Sequence, residues 1–183
     1  VRHAACTTRA LLSHPDKDVA FAQCDRLVQQ LVLQRDESAR TVENPAFPRL
    51  DCLRIIHLLM RVAVGQQEAT TKLMRCLVLA AEHLAAQCGN LTSEPRNAGS
   101  TAVMAEDLQS VVSLAWKHGQ ELGRAQQWTA CISIFECLLR VLEQAEKAEK
   151  LELLESKAWC LVLIASAKMQ CVKNLAGRLQ ARG

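Results

Sequence analysis

The sequence predicts an all-helical fold built of antiparallel hairpins stacked on one another. Apolar residues recur at spacings of three and four along most of the chain, the period of one face of a helix. Tyr is absent and aromatics make up only 3%, whereas strands favour aromatic and β-branched residues. Four Pro and seven Gly in 183 residues are also too few for the frequent turns of a β-rich fold.

The elements follow in order. Val1 to Ser13 reads as the tail of a helix, and Pro15 with Asp16 marks the next helix start. Ala20, Cys24, Leu27 and Leu31 then give a helix over about 16–38, and Asn44-Pro45 and Pro48 punctuate the connection that follows. From about 49 to 64, Leu53, Ile56, Met60 and Ala63 form one apolar stripe, and Ile55, Leu59 and Val62 form a second. A helix with two apolar faces is sandwiched between neighbours. Gly65 ends it, and the next helix, over about 67–88, places Ala69, Leu73, Cys76, Ala80 and Leu84 on one face before Gly89 and Asn90.

Residues 90–101 are the one long stretch of low hydrophobicity and are read as a loop between an N-terminal part, 1–89, and a C-terminal part, 102–183. Beyond it, Met104, Leu108, Val111, Ala115, Gly119 and Leu122 share a face, and a break falls near Arg124 to Gln127. Trp128, Cys131, Phe135, Leu138 and Leu142 mark the second helix of that hairpin, and Ala145 to Lys150 reads as a charged turn. The last helix is expected to bury Leu151, Leu154, Ala158, Leu161, Ala165 and Val172. Because the chain starts at Val1 and stops at Gly183 without a recognisable terminus, it is expected to be a piece of a longer protein.

Composition excludes several function classes. The net charge is only +3, and the basic residues are scattered rather than clustered on a phosphate-binding face, so no nucleic-acid site is expected. The longest apolar stretch, Ala158 to Ala167, is roughly half the ~20 residues that span a bilayer, so no membrane segment is expected. Nine Cys, an odd number without tight pairing, sit mostly inside apolar helical patterns, where free Cys acts as a small hydrophobe. That pattern points to a reducing compartment and makes Asn90-Leu91-Thr92 a chance glycosylation match.

Residues that could carry chemistry do not assemble into a site. His83, Cys76 and Cys88 are seven and five residues apart on one helix, and zinc needs three or four convergent ligands, so no metal is expected. His57 has no partner at useful spacing, no Cys stands beside a His, and no Gly-rich phosphate loop is present. The expectation is a non-enzyme with no cofactor and no small-molecule substrate.

The hairpin from Ala115 to Leu142 resembles a tetratricopeptide repeat, in which small and large residues alternate so that two helices approach closely and a neighbouring pair docks on them. Gly119 takes the small position of the first helix and Leu122 the large one. Trp128, Cys131, Phe135 and Leu138 follow in register on the second. Glu143-Gln144 stand where the motif carries Pro, and the usual period of about 34 residues finds no good match upstream or after Leu151. The array implied is a degenerate tetratricopeptide-like α-solenoid.

Three runs taken together narrow the resemblance: Leu114-Ala-Trp-Lys-His-Gly-Gln-Glu-Leu-Gly, then Trp128-Thr-Ala-Cys-Ile-Ser-Ile-Phe-Glu, then Glu155-Ser-Lys-Ala-Trp-Cys-Leu-Val-Leu-Ile-Ala. They are similar to the meiotic Zip-four/Spo-twenty-two family, with Trp116, Gly119, Ala158 and Cys160 completing the signature. That resemblance implies a nuclear, chromosome-associated scaffold that bridges proteins in reciprocal meiotic recombination and promotes crossover formation and synapsis. A general repeat adaptor, located in the cytoplasm, and a helical accessory part of an enzyme remain open alternatives.

Overall fold

The computed structural model describes residues 13–23, 25, 26, 29, 51–64, 66, 68–88, 98–149 and 153–180, with the backbone alone at 51, 87, 88, 98–104 and 149. Among the described residues the chain is helical, with no strand: helical residues at 17–23, then α1 (Asp51–Ala63), α2 (Ala69–Cys88), α3 (Ala98–Arg124), α4 (Trp128–Glu149) and α5 (Leu154–Gln180). Residues 1–12, most of the expected 16–38 helix beyond residue 23, the connection at 44–48, Gly65 and residues 89–97 lie outside the described residues.

Local chemistry explains the boundaries. Asp16 caps the first helical segment, its Oδ1 accepting the N–H groups of Asp18 at 3.0 Å and Val19 at 3.1 Å. α3 ends in a Schellman motif: Gln126 N–H donates to the Gly123 carbonyl at 3.0 Å and Gln127 N–H to that of Leu122 at 2.9 Å. That cap needs a left-handed residue, and Gln126 adopts φ 59° there although it is not glycine.

Four helices pack as two hairpins side by side. α1 lies against α2 and α3, and α4 lies against α2, α3 and α5. The Thr70 Oγ1 at the start of α2 is 3.1 Å from His118 Nε2 near the end of α3, which sets those two helix ends side by side. α5 folds back along α4: Lys157 Nζ reaches Glu146 at 2.5 Å and Lys168 Nζ reaches Glu136 at 3.1 Å. Both stripes of α1 are used, with Leu53, Ile55, Ile56, Leu59, Met60 and Ala63 buried, as a sandwiched helix requires. At the N-terminal end Phe21 joins the core, the Lys72 ammonium sits 5.4 Å from its ring centroid, and Lys72 also pairs with Asp18.

Three sequence expectations are corrected. Residues 98–101, read as loop, form the first turn of α3, since no Pro follows position 95 to stop a helix there. Ala145 to Glu149 is helix rather than turn, because Ala145 and Ala148 are small enough to sink into the core and the intervening residues are good helix formers, while Lys150 and Leu151 lie outside the described residues. The face of α5 is also reversed. Leu154, Ala158, Leu161, Ala165 and Val172 lie on the solvent side, and Cys160, Ile164 and Ala167 are buried against the bundle.

Candidate interaction surface

The α3–α4 hairpin holds most of the residues singled out by sequence, and its geometry follows from one small residue. A Cβ placed on Gly119 would stand 2.7 Å from Phe135 Cζ, so only glycine lets the two helices approach this closely. Phe135 is buried, and Trp116 meets its ring edge-on at a centroid distance of 5.3 Å and an interplanar angle of 79°. One turn along, Gly123 faces Cys131 and Trp128 at ordinary contact distances. Leu122, Cys131 and Leu138 are buried, while Trp128 and Trp116 are partly buried against the core. Among the signature residues of the last helix, Cys160 is in the core and Ala158 faces solvent.

The outward face of α5 is the feature that sequence reasoning misplaced. Leu154, Trp159, Leu161, Val162, Met169, Val172, Leu175 and Leu179 are each 54–72% exposed. Single exposed apolar residues are ordinary, whereas here eight large ones lie along one helix. The signal that identifies Trp159, Val162, Met169, Leu175 and Leu179 in the sequence is the width of the apolar pattern. From Ala158 to Ala167 the helix is apolar nearly all round, more than one neighbouring helix can cover.

The same face leads into an open groove of about 430 Å³ where the α3–α4 turn meets the end of α5. Gln126, Trp128, Cys171, Asn174, Leu175 and Arg178 line it. Leu175 belongs to both the groove and the apolar face.

Burial shifts the titration of four cysteines and two histidines. Burial, and then the Asp25 charge, pushes the Cys76 thiol up to about 12, and burial pushes Cys160 up to about 11. Burial also raises Cys131 and Cys137, so these thiols stay protonated at neutral pH and are poor nucleophiles. Burial lowers His57, with Arg61 acting in the same direction and Asp107 against it. His118 is lowered by burial, with Glu121 opposing. His83 and Cys76 are buried on α2, and among the described residues no three His, Cys, Asp or Glu side chains converge on a metal position. Among the described residues no helix is long and apolar enough to cross a membrane. Compared with protein-family models, curated proteins and solved structures, the chain matches none.

Proposed function

We propose that this chain is a protein-binding scaffold segment whose outward α5 face is the docking surface. Its stacked hairpins belong to a degenerate tetratricopeptide-like α-solenoid. The observation that carries the reading is the exposed apolar face from Leu154 to Leu179, whose withdrawal from water by a docked protein is favourable.

The process it serves follows from the resemblance of the Trp116, Trp128 and Trp159 runs to the meiotic crossover family. On that reading the parent protein is nuclear, sits on meiotic chromosomes and bridges partner proteins during recombination. The test is to replace Leu161 and Val172 by Glu in the parent protein and score its chromosome association and the crossover number in meiotic cells. Loss of crossovers with normal protein abundance supports the scaffold role. Absence of the unaltered protein from meiotic chromosomes removes the meiotic reading and leaves a general adaptor.

A further inference from the structure

We propose that the outward face of α5 is a self-association surface, covered by α5 of a second copy running antiparallel to it. This deepens the scaffold reading by naming the occupant of its surface. It fails separately from that reading, because self-association is measured on purified protein and the scaffold role in cells.

Spacing supplies the first argument. Leu154, Ala158, Leu161, Ala165, Met169, Val172, Ala176 and Leu179 follow one another at steps of three and four, the seam pattern of two helices packed side by side. No charged residue interrupts this line. Read from either end, the pattern is nearly the same. An antiparallel partner therefore sets Leu154 opposite Leu179, Leu161 opposite Val172, and small Ala165 opposite large Met169. A two-fold symmetric contact has this self-complementarity.

Area supplies the second. Covering the five large side chains of this line, Leu154, Leu161, Met169, Val172 and Leu179, with the flanking Val162 and Leu175, withdraws on the order of 100 Å² each, or about 700 Å² per copy, close to one partner's share of a standard stable interface.

Charge decides the direction. On one border of the seam, Lys157 and Lys168 are already paired with Glu146 and Glu136 on α4, so they present little uncompensated positive charge to a second copy. On the other border Glu155 and Lys173 lie toward opposite ends of the helix. An antiparallel partner brings the Glu155 end of one copy to the Lys173 end of the other. A parallel partner sets this border against the Lys157 and Lys168 border of the other copy, whose charges α4 already takes up, so only the antiparallel arrangement joins Glu155 to Lys173.

The test is sedimentation equilibrium of the full 183-residue chain over a concentration series. The unaltered chain is expected to be dimeric, and Leu161→Glu with Val172→Glu to halve its mass while circular dichroism keeps the same helix content. Met169→Lys serves in their place should the double variant fold poorly. Glu155→Lys and Lys173→Glu should each raise the dimer dissociation constant several-fold, and the two together should restore it. A chain that stays monomeric throughout the series overturns the proposal. So does a dimer indifferent to the charges placed on α5, and so do single charge reversals without effect. A monomer whose α5 face is protected from hydrogen exchange also overturns it, and assigns the cover to another part of the same chain.

Discussion

Gly119 and Phe135 show how much of the hairpin rests on two side chains. Phe135 fills the space that Gly119 leaves, and Trp116 closes over its edge. Phe135→Ala is expected to cost about 3–5 kcal/mol, since both transfer energy and packing are lost at a buried site. Exposed Glu143→Ala, by comparison, should stay within about 0.5 kcal/mol. Denaturant midpoints of the two variants make the comparison, and equal midpoints would contradict the packing. Gly119→Ala sets two effects against each other. Ala is the better helix former by about 1 kcal/mol, whereas overpacking a close contact costs about 1–3 kcal/mol. The atom in the way belongs to a rigid buried ring, so overpacking prevails and the variant should unfold at a lower denaturant concentration than the parent.

At the scale of elements, α4 and α5 differ in how many neighbours they have. α4 touches three helices and buries Cys131, Ile134, Phe135, Leu138, Val141, Leu142, Ala145 and Ala148. α5 packs on α4 and buries only Cys160, Ile164 and Ala167. Ile164→Ala should therefore cost about 2–4 kcal/mol in dilute solution, while Ala158→Gln should leave stability within about 0.5 kcal/mol. The result discriminates between the two possible registers of α5. A costly Ala158→Gln with a mild Ile164→Ala would place the opposite face inward, as the sequence alone suggested.

For the whole molecule, two histidines link the packing of the helices to pH. His57 on α1 lies near Asp107 of α3, and His118 on α3 meets Thr70 of α2, so both rings sit where helices join. Burial lowers both from their ordinary value of 6.5, which means the unfolded chain binds protons more readily than the folded one. Stability from these groups rises with pH through the window between the lowered folded values and 6.5, and is lost as the pH falls through it. Urea midpoints should fall between about pH 7.5 and about pH 5.5, and fall less in a His57→Gln, His118→Gln variant. An unchanged slope in that variant would assign the acid sensitivity to other groups. Surface ion pairs such as Lys168–Glu136 contribute little to the balance, because exposed pairs are worth about 0–1 kcal/mol.

The sequence by itself determined the all-helical character, the double-faced α1, the core positions of α2 and α3 and the break before Trp128. Each follows from a local property: a 3.6-residue apolar period, a capping Asp16, or an interruption in the pattern. The close approach at Gly119 was also legible, because a small residue facing a large aromatic one is a pairwise rule that needs only the hairpin. Tertiary structure alone decided the length of α4 and the orientation of α5. Ala145 to Lys150 carries as many charges as a turn does, and only burial of Ala145 and Ala148 shows that the helix continues. In α5 two apolar stripes compete, one through Leu154, Leu161 and Val172 and one through Cys160, Ile164 and Ala167. Periodicity fixes the angle between such stripes but not which of them meets α4, because that choice depends on the shape and charge of the partner helix. Burial of Cys160, Ile164 and Ala167 against the bundle sets the second stripe inward, with Lys157 reaching Glu146 and Lys168 reaching Glu136 at its border, and leaves the first facing solvent.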